Sequence, residues 1–228
     1  KDQLPNYIFI LVPLIAVLTA KWVDKAISGS EKIYIIFYKS QIIVTILTWV
    51  AILTTALYLF PTSEWYLWLT FLLAFIISGY VYKTAGHGSA AILLPSIIAF
   101  ACLHLIANTN VLPYMFSFQA PPKAARYFNQ NAQKSDTLYN YHYGQYELFF
   151  YSYPEAIQIQ NQDELKKAAC KPGHWIFTDS KGFSAIKALN CTPDSVITYK
   201  HINLNKPFKF VLPAKRDKSL VTFYLVKF

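Results

Sequence analysis

Four stretches of this 228-residue chain are each long and apolar enough to cross a lipid bilayer. A spanning helix needs about 20 predominantly apolar residues. Windows at 4–23, 40–60, 65–82 and 88–108 meet that need, and no charge falls between Leu4 and Ala20. The first window does not read as a cleaved signal peptide, because it opens on an acid and a proline rather than a basic cluster, and three more windows follow.

The connections orient the spans. Lys21, Lys25, Lys32 and Lys39 cluster after the first window and Lys83 follows the third, whereas Pro61-Thr62-Ser63-Glu64 has no basic residue. Short basic loops stay cytoplasmic. Residues 24–39 and 83–87 are therefore expected inside, and the chain start, residues 61–64 and everything after Asn108 outside. Trp65, Tyr66 and Trp68 at one end, with Tyr80 and Tyr82 at the other, fit the aromatic belts of a membrane interface. His104 is the ionisable residue set deep in a span; a neutral imidazole bonded to a neighbouring helix accounts for it as simply as a functional contact does. His87 between glycines reads as a turn residue, and Cys102 as packing.

Charged residues make up 14% of the chain, against about 25% in an ordinary soluble domain. They concentrate after residue 108, where fifteen Lys/Arg face eight Asp/Glu. The fold expected is thus an α-helical membrane region of four transmembrane helices (1–108), a linker (109–121) and a small α/β extracytoplasmic domain (122–228). The net charge of +9 does not point to nucleic acid. No Arg-rich helix, zinc spacing or RNA-binding signature accompanies it, and a basic domain tethered to a bilayer faces anionic headgroups.

Within the second part, Pro122 starts a helix that runs to about Asn131, with Ala124, Ala125, Tyr127 and Phe128 on or near its buried side. Residues 136–143 read as a strand with Tyr139, Tyr141 and Tyr143 on one face, and 147–153 as a short aromatic segment. A short strand (156–160), a helix (163–170), a strand (175–179) and a helix (181–190) follow. The last two strands, 196–203 and 220–227, form an antiparallel hairpin across a basic loop. Alternating strands and helices predict an α/β layer structure.

Few residues here announce chemistry. The chain holds no phosphate-binding glycine loop and no G-x-S-x-G, H-E-x-x-H or C-x-x-C pattern. The residues themselves thus indicate no catalytic group, cofactor or metal site in this chain. Alternating tyrosines at 139–143 could stack on sugars, but such strands more often pack on a helix. Cys170 and Cys191 either form a disulfide, which an exported compartment permits, or remain two buried thiols. Asn190-Cys191-Thr192 matches a glycosylation sequon, discounted because Pro193 follows it. The 206–218 run offers Lys206, Lys209, Lys215 and Arg216 as headgroup contacts, or as an ordinary solvated hairpin tip.

The opening residues remain. The chain starts without Met, its single methionine being Met115, which suggests the tail of a longer membrane protein. Lys1 and Tyr7 fall at the outer face, where a cation and a phenol can engage a lipid phosphate, and Pro5 suits a helix's first turn. The segment Lys1-Asp2-Gln3-Leu4-Pro5-Asn6-Tyr7-Ile8, with Pro13-Leu14-Ile15-Ala16, resembles one in membrane glycosyltransferases of the GT-C fold, of the aminoarabinose transferase and protein O-mannosyltransferase type. The order of motif, four spans and outer domain agrees over nearly the whole chain. That domain contains Glu147-Leu148-Phe149-Phe150-Tyr151 and Asp163-Glu164-Leu165.

The resemblance implies a C-terminal portion of an enzyme that moves a sugar from a polyprenyl-phosphate donor to a lipid, protein or glycan acceptor at the outer face of a bacterial inner membrane. Lys1 and Tyr7 would bind the donor's lipid phosphate. The family's catalytic acid, and a divalent metal if one is used, would belong to the N-terminal half of the full-length protein. A different class of reading is a non-enzymatic four-span anchor that presents an α/β sensor or assembly domain.

Overall fold

In the computed structural model the backbone is described for residues 6–86, 88–144, 146–202 and 207–228, and side chains for the same residues except 6–12, 26, 207 and 208. The chain divides into two compact units, Lys1–Val111 and Leu112–Phe228.

The first unit is helical: α1 (Asn6–Ser28), α2 (Glu31–Thr54), α3 (Trp65–Thr84) and α4 (Ser89–Ile106). π turns at Thr55–Leu59 and Ala107–Val111 continue α2 and α4. The second turn leads on into α5 (Leu112–Phe116), so the predicted linker opens as helix. Three helical stretches, Glu31–Leu59, Trp65–Thr84 and Ser89–Phe116, are long and apolar enough to cross a membrane. The first predicted span, 4–23, overlaps α1, a 23-residue helix that runs on to Ser28.

Residues 24–39, expected as a cytoplasmic loop, are instead helical apart from the turn at Gly29–Ser30. Charge ends an apolar window without ending a helix, since Lys and Glu are good helix formers. Asp24, Lys25, Glu31 and Lys32 are all exposed there. Gly29 makes the reversal: a Cβ would lie 2.5 Å from the Lys25 carbonyl oxygen.

Trp49, Ile52, Leu67, Phe71, Ala99, Cys102 and Ile106 form the core between α2, α3 and α4. By contrast, Leu14, Ile15, Val17, Leu18 and Trp22 of α1 are exposed. A polar chain ties the three packed helices together. Ser96 donates to Gln41 Oε1 at 2.9 Å, Thr45 to Ser96 at 3.3 Å, and Tyr82 to Thr45 at 3.1 Å. Within a bilayer, side-chain hydrogen bonds of this kind join neighbouring helices.

The second unit is built on one mixed sheet. Its strands are β1 (Thr137–Tyr141), β2 (Ile157–Gln158), β3 (His174–Asp179), β4 (Ser195–Ile202) and β5 (Leu220–Lys227), in the order β2-β1-β3-β5-β4. β1 pairs in parallel with β2 and β3, and β5 runs antiparallel between β3 and β4. Helices cover both faces. α6 (Ala120–Asn131) and α7 (Glu147–Tyr151) pack on Leu138, Trp175, Phe177, Phe223 and Leu225. α8 (Gln162–Ala168) and α9 (Ser180–Lys187) pack on Tyr141, Ile176 and Val226.

α6 starts at Ala120, two residues before the predicted Pro122, with both prolines in its first turn. That position wastes no hydrogen bond, because the first amides of a helix have no partner within it. The basic loop between β4 and β5 contains two short helices, α10 (Pro207–Val211) and α11 (Pro213–Ser219).

The tyrosine strand departs from expectation. β1 ends at Tyr141, and His142 takes a left-handed backbone with φ of 61°. The alternation of faces therefore stops. Tyr139 and Tyr141 pack on the α8–α9 side, whereas Tyr143 lies on the α6–α7 side against Phe177 and Phe223.

Candidate functional site

The strand order creates a switch point between β1 and β3. From β1 the chain crosses through α7 to β2 on one side; from β3 it crosses through α9 towards β4 on the other. The two crossing helices lie on opposite faces of the sheet. In open α/β sheets, ligands bind outside the carboxyl ends of strands at such a point.

His142 and Asp179 meet there. The imidazole Nδ1 is 3.7 Å from Asp179 Oδ1, with the two side chains 42% and 25% exposed. Asp179 also caps α9, its Oδ1 accepting from the Gly182 amide at 2.8 Å. The same carboxylate thus satisfies a helix N-terminus and faces an imidazole. At Gly182 a Cβ would collide with Thr178 Oγ1 and approach the Tyr141 ring to 2.8 Å, so glycine lets α9 sit directly on the sheet.

Behind the pair are two buried polar groups. Asn140 donates to the Tyr143 carbonyl at 2.8 Å and to Gln158 Oε1 at 2.7 Å, while its own Oδ1 and Thr178 Oγ1 have no hydrogen-bond partner among the described residues. Tyr143 donates to Glu147 Oε2 at 3.0 Å. Burial, then the adjacent carboxylate, pushes that phenol's pKa far up, so it stays a donor. Ser180, next to Asp179, donates to the Thr222 carbonyl at 3.4 Å. The arrangement sets an imidazole and a carboxylate side by side, groups that can hydrogen-bond a ligand hydroxyl. Among the described residues no group of three or more His, Cys, Asp or Glu is placed to hold a metal ion.

His201 anchors the entry to this unit. Its Nδ1 accepts from the Ala120 amide at 3.2 Å, and the next residue, Ile202, donates to the Phe118 carbonyl at 2.9 Å. Accepting at Nδ1 leaves the ring neutral with its proton on Nε2. Burial lowers its pKa, partly opposed by Glu147.

The residues singled out in the sequence are dispersed. Lys1 and Lys206 lie outside the described residues. Tyr7 is in the first turns of α1, with its side chain outside them. Lys209 and Lys215 are exposed. Arg216, expected at a headgroup-facing loop tip, is instead buried. Its guanidinium donates to the Phe210 and Val211 carbonyls at 3.0 and 3.3 Å and to the Tyr114 hydroxyl at 3.3 Å. It also lies over the Tyr114 and Phe210 rings. The short helices curl the basic run back on itself, and arginine's planar fork suits ring faces and carbonyls together. Cys170 and Cys191 are joined as a disulfide with Cα atoms 5.4 Å apart. His104 is exposed on α4.

The His142–Asp179 pair is not apparent in the sequence, because only parallel pairing of β1 with β3 unites residues so far apart. The one local signal was Asp179-Ser180-Lys181-Gly182, an N-cap followed by a small residue where a helix begins. The chain matches no family model, no curated protein and no solved structure.

Proposed function

We propose that this chain is the C-terminal portion of a membrane glycosyltransferase that takes its sugar from a polyprenyl-phosphate donor and acts at the outer face of a bacterial inner membrane. The observation that carries the reading is the Leu4-Pro5-Asn6-Tyr7-Ile8 segment with Pro13, of which Asn6, Tyr7, Ile8 and Pro13 belong to α1. Three helical stretches fit for a bilayer, and an α/β unit after them, support it. The Cys170–Cys191 disulfide fits an oxidising compartment for that unit.

On this reading Lys1 and Tyr7 bind the donor's phosphate by charge and hydrogen bond. Such contacts stabilise the departing lipid phosphate as the glycosidic bond breaks. Exposed Lys209 and Lys215 contact anionic headgroups, each contributing about 1 kcal/mol at the surface. Deprotonation of the acceptor belongs to an upstream acid of the kind the resemblance implies.

The test uses membranes containing the full-length protein and labelled polyprenyl-phosphate sugars. Transfer of label to an acceptor is expected for at least one donor. No transfer from any such donor, with the protein folded and membrane-inserted, would contradict the reading and favour the anchor.

A further inference from the structure

The second unit exposes one set of aromatic rings far beyond any other. Tyr146, Phe150 and Tyr153 are 86%, 81% and 86% exposed, whereas no other large apolar side chain described in this unit exceeds 56%. Tyr146, which precedes α7 as its N-cap, and Phe150 within it are one turn apart, joined by the bond from the Phe150 amide to the Tyr146 carbonyl, while Leu148 faces the core. Tyr153 follows directly. Tyr151 on α7, 41% exposed and in ring contact with Phe150, extends the patch.

The backbone that carries these rings is tied to α6. Asn129 of α6 clamps the chain after α7, with Nδ2 donating to the Tyr151 carbonyl at 2.9 Å and Oδ1 accepting from the Tyr153 amide at 2.8 Å. The patch also carries cations. Lys123 and Arg126, one turn apart, are exposed on α6, and the Arg126 guanidinium lies 6.0 Å from the Tyr151 ring centre.

We propose that this α6–α7 face rests in the headgroup layer of a lipid bilayer. Three observations select lipid over other occupants. Tyrosine and phenylalanine rings suit a boundary with an apolar and a wet side. Lys123 and Arg126 complement anionic headgroups; Glu147 is engaged by Tyr143, and exposed Glu155, two residues past Tyr153, is outnumbered by the two cations. The chain also carries three helical stretches fit to cross a bilayer, which keeps a membrane within reach. The inference rests on the membrane reading of those helices.

The test places a single thiol in the full chain reconstituted into phosphatidylcholine–phosphatidylglycerol vesicles. Cys102 is buried and the other cysteines are paired, so an introduced cysteine takes the label. An environment-sensitive fluorophore goes on Phe150→Cys or Tyr153→Cys, with Leu72→Cys of α3 and exposed Lys181→Cys as references. Lipid-borne nitroxide should quench the Phe150, Tyr153 and Leu72 sites several-fold more than the Lys181 site, and aqueous iodide should show the reverse. If the Leu72 site escapes lipid quenching, the membrane reading fails and the inference with it. If Leu72 is quenched while the Phe150 and Tyr153 sites stay open to iodide, the inference alone is overturned. Shielding of those two sites from both quenchers overturns it too, in favour of a protein cover.

Discussion

His142 and Asp179 stand at the ends of neighbouring parallel strands, with Nδ1 and Oδ1 3.7 Å apart. That separation is too long for a hydrogen bond, yet close enough for attraction when the imidazole is protonated. It comes from the left-handed turn at His142 on one side and the helix cap at Asp179 on the other.

Asp179 holds α9 through its cap. Replacing it with Ala removes the acceptor for the Gly182 amide and should cost about 1 kcal/mol of stability, whereas Asp179→Asn keeps an acceptor and should cost less. Urea denaturation followed by the fluorescence of buried Trp175 would separate the two. Equal losses would mean that the charge, not the cap, stabilises the helix.

Arg216 is a structural residue rather than a surface one. Arg216→Ala leaves the Phe210 and Val211 carbonyls without this donor and should lower stability by about 2–3 kcal/mol. Lys209→Ala and Lys215→Ala, at exposed positions, should change it by less than about 0.5 kcal/mol. Thermal unfolding of the three variants reads the difference.

His201 gives the second unit a pH dependence of known sign. Its folded pKa is lowered from 6.5 by burial, so the unfolded chain takes up a proton first as pH falls. Its contribution is fully present above 6.5 and is lost as the pH drops towards the lower folded value. Protonation at Nδ1 would also end its bond from the Ala120 amide. Melting temperature should fall on acidification through this range, and His201→Asn should flatten that part of the slope. An unchanged slope would assign the dependence to carboxylates.

The Cys170–Cys191 disulfide closes a short loop between α8 and β4. Cleaving it, or replacing both residues with Ser, should cost about 3 kcal/mol on the chain-entropy account. Unfolding with and without reductant measures the loss.

Much of the second unit is legible from residue pattern. The run from Leu220 to Lys227 is β5 at its observed bounds, and His174–Asp179 extends the predicted strand by one residue. Dense apolar and aromatic residues bounded by polar segments mark strands directly. Backbone conformation is less legible. Nothing local shows that His142 would adopt positive φ and send Tyr143 to the opposite face. Nor does charge reveal that Arg216 would turn inward, because a lone arginine's burial depends on rings and carbonyls from α10 and Tyr114. The loop expected at 24–39 failed for a related reason: polarity marks the end of an apolar window, not the end of a helix.

Donor kinetics test Lys1 and Tyr7 together. Transfer from labelled polyprenyl-phosphate sugar should be measured for full-length protein carrying Tyr7→Phe or Lys1→Ala, alongside wild type, with donor concentration varied. Both variants should raise the KM for the donor, with acceptor KM unchanged and the membrane level of protein maintained. Wild-type kinetics in both would contradict the assignment of Lys1 and Tyr7 to the donor's lipid phosphate.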